Sequence, residues 1–169
     1  GNGDAGDIVS VEVTPNDGTV NGTLASAQVT VVAGPTVYAN DVFGRTVANN
    51  WGSATVGGAY TLSGTAADFD VNGSVGTVVA AAAANRAAVL NVSAQDVDIT
   101  FSNTTDKAAS GGNQFIYGIA RRVSATNEYR AKVRYATNGT VLIQATAVVN
   151  NVETGIGPEV LVPGLTRSA

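Results

Sequence analysis

From Ile8 the chain alternates strictly. Val9, Val11 and Val13 fall on one side, and Ile8, Ser10 and Glu12 on the other. A period of two is the mark of a strand with one covered face. "PNDGTVNG" follows, packed with turn formers, and "LASAQVTVV" (Leu24 to Val32) reads as a second strand. Gly34-Pro35 then breaks the pattern. Two strands cannot bury a core alone. Residues 1–34 are therefore expected to be the closing part of a larger unit, with 35–40 as a linker.

Beyond Tyr38 the texture stays strand-like and punctuated by turns. "GAYTLSG", "DFDVNGSVGTVVA", "AAVLNV", "DVDITFS", "QFIYGIARRV", "EYRAKVRY", "TVLIQATAVV" and "EVLVPG" follow one another. Intervals of about ten residues between short strands predict an antiparallel sandwich or barrel. The alanine run Ala80 to Ala84 is too short to nucleate a helix and is read as a loop or a single turn. In "NEYRAKVRY", Tyr129, Ala131, Val133 and Tyr135 share one face, and Arg130, Lys132 and Arg134 the other. The alternation assigns the tyrosine face to the core and the basic face to solvent. With Arg121 and Arg122, five of the nine basic residues lie between 121 and 134.

Composition narrows the chemistry. Hydrophobic residues make up 44% of the 169 but aromatic ones only 6%, so the core must rest on Val, Ala, Leu and Ile. Charged residues are 13%, about half the usual share. A net charge of -4 argues against a nucleic-acid partner, since a phosphate-tracking surface needs an excess of Lys and Arg. There is no Cys, hence no disulfide and no thiolate. There is no His, so neither a Ser-His-Asp nor a Cys-His mechanism can be written. No Met is present either, and the chain is read as a processed or excised piece. The longest apolar run, Val78 to Ala84, is far below the roughly 18 residues of a membrane helix, so no membrane insertion is expected.

"DVFGRTVANNWGSATVGGAYTLSG", "DFDVNGSVGT", "VSAQDVDIT", "TDKAASGGNQFIYGIARRVSATNEYRAKVRYATNGTVLI" and "VPGLT" together resemble a LamG-like, concanavalin-type jelly-roll domain. Such domains occur in secreted, surface and phage tail proteins of actinobacteria and related bacteria. The resemblance covers Asp41 to about Thr166. "VSVEVTPNDGTVNGTLASAQVTVVAGP" is similar to the closing half of an immunoglobulin-like or cadherin-like surface repeat. The implied fold is all-β: a jelly-roll β-sandwich over 41–169, incomplete at its C-terminus, behind an immunoglobulin-like strand pair. Family membership implies a modular, non-catalytic role, extracellular, on a cell surface or on a virion.

Candidate sites divide between oxygen donors and side chains fit for recognition. "DFDVNG" places Asp68, Asp70, Asn72 and Gly73 as a calcium loop would. The twelfth position, where a bidentate Glu belongs, is Val79. The competing reading is a hairpin turning at Asn72-Gly73 with Phe69 and Val71 buried. Asp41 is a second oxygen donor, because the resemblance implies a structural calcium near the chain termini; otherwise it caps a turn or pairs with Arg45. No other cofactor is expected. Asp96 and Asp98 share a strand face and imitate a glycosidase pair, but residues two apart on one exposed strand serve solubility more often. Trp51, the only tryptophan, sits among loop formers as a sugar-stacking platform or as a packed anchor. Arg122, Arg130, Lys132 and Arg134 form a stripe suited to an acidic glycan or a surface protein, or simply a solvated face.

The first reading of function is a non-catalytic extracellular module for glycan binding or adhesion. The alternative is a structural segment of a cell-surface filament or phage tail fibre assembled by strand sharing. An enzyme ranks third. The cut sheets also predict wet apolar faces at Val9, Val11 and Val13 and opposite Arg130, Lys132 and Arg134. Such faces favour a homo-oligomer or fibre.

Overall fold

The computed structural model of the chain describes residues 3–167. The chain is all-β and every strand pairing is antiparallel; one 3-10 turn, Ala66–Asp68, is the sole helical segment among the described residues. It divides after Ser93 into two compact units.

The first unit opens with β1 (Ile8–Val13) and β2 (Ala25–Thr30), an unbroken ribbon from Ile8↔Thr30 to Val13↔Ala25. Side chains directly opposite one another share a face. Val9 faces Val29, Val11 faces Ala27 and Val13 faces Ala25, which makes one side wholly apolar. The other side carries Ile8, Ser10, Glu12, Ser26, Gln28 and Thr30. All residues of both strands are exposed, with Val9 at 51% and Val11 at 60%. The wet valine face expected from the alternation is present. In the connecting loop the Asp17 carboxylate accepts the N–H groups of Thr19 and Val20. Those bonds, Val20's first, hold its pKa below the ordinary value.

Two small sheets follow: β3 (Thr46–Val47), β5 (Phe69–Asn72) and β6 (Gly76–Val78) in the order β3-β5-β6, and β4 (Tyr60–Ser63) with β7 (Ala87–Leu90). Phe69 and Val71 alternate inward on β5 and are 0% and 2% exposed, as the hairpin reading requires. The turn lies at Asn72 to Val75. Asn72 Oδ1 accepts the N–H groups of Ser74 and Val75, and Gly73 takes φ +100, which a Cβ would disfavour. Ala80–Ala84 forms no helix.

The second unit is one five-stranded sheet. β8 (Gln114–Ser124), β9 (Asn127–Tyr135) and β10 (Thr140–Val149) form a meander. The far side of β10 is shared by β11 (Val152–Gly155) at one end and β12 (Val160–Thr166) at the other. β11 has no counterpart among the expected strands. It hangs on the two-residue turn Asn150-Asn151, both left-handed at φ 51 and 66, the geometry that matches strand twist in a tight hairpin. "DVDITFS" differs in the other direction: Asp96–Ser102 alternates but pairs with no strand. Its Phe101 instead covers β8, where a Cβ on Gly118 would lie 2.6 Å from the ring. Close approach of this ring requires glycine there.

Opposite the basic stripe the expected core placement of the tyrosines is corrected at Tyr129, and the expected wet apolar face is present. Tyr135 is buried at 8%, but Tyr129 on the same face is 51% exposed, with Ala131, Ala145 and Ile143 also exposed. On the basic face, by contrast, Glu128, Thr146 and Val148 are 5%, 0% and 5% exposed. Register explains it. Thr146 lies opposite Arg130 and Val148 opposite Glu128, so the long stems of the basic residues roof their short neighbours.

Candidate functional site

Trp51 lies in a cluster of rings. Phe43, Tyr60 and Phe69 stand edge-on to it, with centroids 5.3, 5.2 and 6.1 Å away. Its indole N–H donates to the Thr77 carbonyl at 2.9 Å. A Cβ on Gly76 would fall 2.7 Å from Phe43 and 2.9 Å from the indole, so β6 presses its backbone against the rings. The indole is half-buried.

Arg45 joins this cluster to Asp41. Its guanidinium spans both carboxylate oxygens of Asp41, at 2.7 and 2.8 Å, and also donates to the Trp51 carbonyl. The Asp41 side chain is 5% exposed, and its carboxylate accepts the Phe43 N–H as well. Arg45 holds the Asp41 carboxyl below the ordinary carboxylate range; burial opposes it, and the Phe43 N–H adds to the lowering. Tyr60, beside the same carboxylate, is pushed up to about 12, first by burial and then by the Asp41 charge. The structure thus brings Asp41 and Trp51 together through a residue of lesser prominence in the sequence, Arg45.

The other oxygen donors turn apart. Asp68 pairs with Arg86, Asp70 Oδ1 accepts the Asn49 N–H at 2.8 Å, and Asn72 Oδ1 is spent on its own turn. Among the described residues no three acidic, His or Cys side chains converge as a metal site would require.

On the second unit's sheet the basic stripe meets carboxylates. Arg122 and Arg130 flank Glu128, Arg130 and Lys132 reach Glu153, and Arg134 forks onto Glu159. Arg130 also lies 4.8 Å over the Tyr117 ring, a cation–π pair, and the Tyr117 hydroxyl donates to Glu153. Arg134 lowers the Glu159 pKa. Glu153 comes from β11 and Glu159 from the approach to β12, so the neutralising charges are distant in sequence. Thr146 Oγ1 is buried beneath them and has no hydrogen-bond partner among the described residues.

A further feature has no counterpart in the expected sites. Loop residues 106–110, the turn Thr137–Gly139 and the end of β12 enclose an open cleft of about 740 Å³. Arg167 ties its walls together. The Arg167 N–H donates to the Gly139 carbonyl, and its guanidinium bonds the hydroxyl and carbonyl of Thr105. Nothing in the local sequence marks these residues, because they are ordinary turn formers gathered by the β9–β10 hairpin.

Family models, curated proteins and solved structures give no match to the chain.

Proposed function

We propose that the chain is a non-catalytic structural module that assembles with further copies through its β1–β2 ribbon. The observation that carries this is the wholly apolar face of Val9, Val11, Val13, Ala25, Ala27 and Val29, exposed on strands that, among the described residues, pair only with each other. Each Val left fully in water forgoes about 1.5 kcal/mol or more. Unlike β8, which carries Arg121, Arg122 and two register breaks, the ribbon has a single charge, Glu12, and no bulge to blunt its edges.

The face can pack on a copy of itself, because its small side chains can lie against an identical set. It is also small. Six residues span about 20 Å and two strands about 10 Å, on the order of 200 Å². A stable interface needs about 800 Å² per partner. Pairing of ribbons is therefore weak for free copies and effective where copies are held side by side, as in a filament or array. The engagement of Trp51 by Phe43, Tyr60 and Phe69, and of the basic stripe by Glu128, Glu153 and Glu159, favours this reading over recognition at those residues. An extracellular or virion location and a jelly-roll arrangement rest on the resemblance of residues 41–166 alone.

Because pairing between free copies is weak, sedimentation velocity carried up to about millimolar protein, where an affinity of that order becomes visible, tests the proposal. The expected outcome is concentration-dependent association that Val11→Glu abolishes without lowering the melting temperature of the other sheets. A monomer at every concentration, identical in the parent and in Val11→Glu, overturns it.

A further inference from the structure

We infer that Asn72 is a site of spontaneous modification, which loses its side-chain amide to water in the folded protein ahead of the other Asn-Gly steps. This stands apart from ribbon assembly. Three such steps lie wholly within the described residues: Asn21-Gly22, Asn72-Gly73 and Asn138-Gly139. All three asparagines are exposed, so solvent access does not rank them. The backbone N–H of the following glycine does. Gly22 N–H donates to the Pro15 carbonyl at 2.7 Å, and Gly139 N–H to the Ala136 carbonyl at 2.9 Å. Gly73 N–H meets no acceptor within hydrogen-bonding distance among the described residues.

That nitrogen is the nucleophile. It gives its proton to hydroxide and attacks Asn72 Cγ, so a C–N bond forms and a five-membered succinimide closes. The Cγ–Nδ2 bond breaks, and Nδ2 takes a proton from water and leaves as ammonia. Water then opens the ring. Attack at Cγ breaks the new bond and leaves aspartate; attack at the main-chain carbonyl breaks the original peptide bond and leaves isoaspartate. One water is consumed and one ammonia released, with no change of oxidation state. The surroundings allow closure. A Cβ on Gly73 would meet only Thr46 Oγ1, at 3.8 Å, so the space about the nitrogen is open. The bonds that hold Asn72 Oδ1 are long, 3.2 Å from the Ser74 N–H and 3.1 Å from the Val75 N–H. Asn138 Oδ1, by contrast, accepts the Thr140 hydroxyl at 2.7 Å, and Asn21 Oδ1 accepts the Asn16 amide. The outcome reaches the Trp51 cluster. Isoaspartate lengthens the main chain by a methylene inside the turn that leads to β6, and β6 presses Gly76 against Phe43 and the indole.

The test holds one sample of the chain folded at mildly alkaline pH and another in strong urea, and follows amide loss at each asparagine by peptide mass mapping. In the folded chain Asn72 should convert about tenfold faster than Asn21 or Asn138, the effect of one backbone hydrogen bond that need not open. In urea the three should convert alike, because each is the same dipeptide freed of its fold. Indole emission should shift to the red in step with isoaspartate at Asn72. Asn72→Gln, whose longer side chain cannot close a five-membered ring, should show neither change. The inference is overturned if Asn72 keeps its amide in the folded chain as long as Asn21 and Asn138 do. It is overturned equally if the lead of Asn72 persists undiminished in urea, which assigns it to local sequence, or if the emission of Asn72→Gln drifts as the parent's does.

Discussion

The indole of Trp51 has spent its one donor on Thr77 and is crowded by three rings, which makes it an anchor for the first unit. Trp51→Ala is expected to destabilise that unit by about 3 kcal/mol, and Phe69→Ala by about 3–5 kcal/mol, in chemical denaturation. Gly76→Ala should cost about 1–3 kcal/mol, because the new methyl would stand 2.7 Å from the Phe43 ring and 2.9 Å from the indole. Titration gives an independent check on the same cluster. Tyr60 is raised from its ordinary 10.0 to about 12, so the stability it contributes is whole below pH 10 and is lost as pH rises toward 12. Asp41 is lowered from its ordinary 3.8, so its contribution is whole above that value and is lost as pH falls through the folded one. Burial and then the Glu153 charge also raise Tyr117, so spectrophotometric titration should find two tyrosines ionising after an exposed phenol would, with Tyr60 as the late step. Tyr60→Phe should remove that late step, and a single ordinary tyrosine transition in the parent would contradict the packing described.

At the scale of elements, the β9–β10 ribbon carries a polar core beneath its basic stripe. Thr146 has a fully buried hydroxyl with no partner among the described residues, and an unmet buried hydroxyl costs about 1–3 kcal/mol. Thr146→Val keeps the shape and removes the polar atom, so it should raise stability by about 1 kcal/mol in denaturant titration. Glu128→Ala should act in the opposite sense, since it leaves Arg122 and Arg130 without their shared carboxylate. This ribbon also marks the limit of what alternation reveals. Strands β1, β2 and β9 were readable because their side chains alternate over six or more residues, and β8 and β10 because they are long runs rich in β-branched and apolar residues. Which face of β9 is covered was not readable, because the cover is made by arginine stems, by Glu153 of β11 and by Glu159 just before β12. β11 is four residues long, and its signal was only the Asn150-Asn151 turn. The ion pair of Asp41 with Arg45 was accessible from spacing, whereas the Trp51 cage was not: Phe69 and Thr77 reach it from another hairpin. The cleft at 106–110 was equally hidden, since its residues meet only after β9 and β10 pair.

Across the whole molecule, charge is divided unevenly. Residues 3–93 hold two bases, Arg45 and Arg86, against seven acids, while residues 94–167 hold seven bases against six acids. The imbalance is sharpest in residues 3–40, where Asp4, Asp7, Glu12 and Asp17 stand with no base at all. This fixes the sign of a salt effect. If ribbons pair with ribbons, as proposed, four acids on one copy approach four on the next, and repulsion opposes the burial of valine. Raising ionic strength shortens the screening length from about 10 Å at 0.1 M to about 3 Å at 1 M, so association should strengthen with sodium chloride. If the ribbon instead docks against a basic surface such as the Arg121 end of β8, attraction drives the encounter and salt must weaken it. Light scattering at fixed protein concentration across a salt series separates the two geometries. Growth of the associated species with salt, abolished in Val11→Glu, is the expected result; dissociation by salt would place the partner of the ribbon elsewhere.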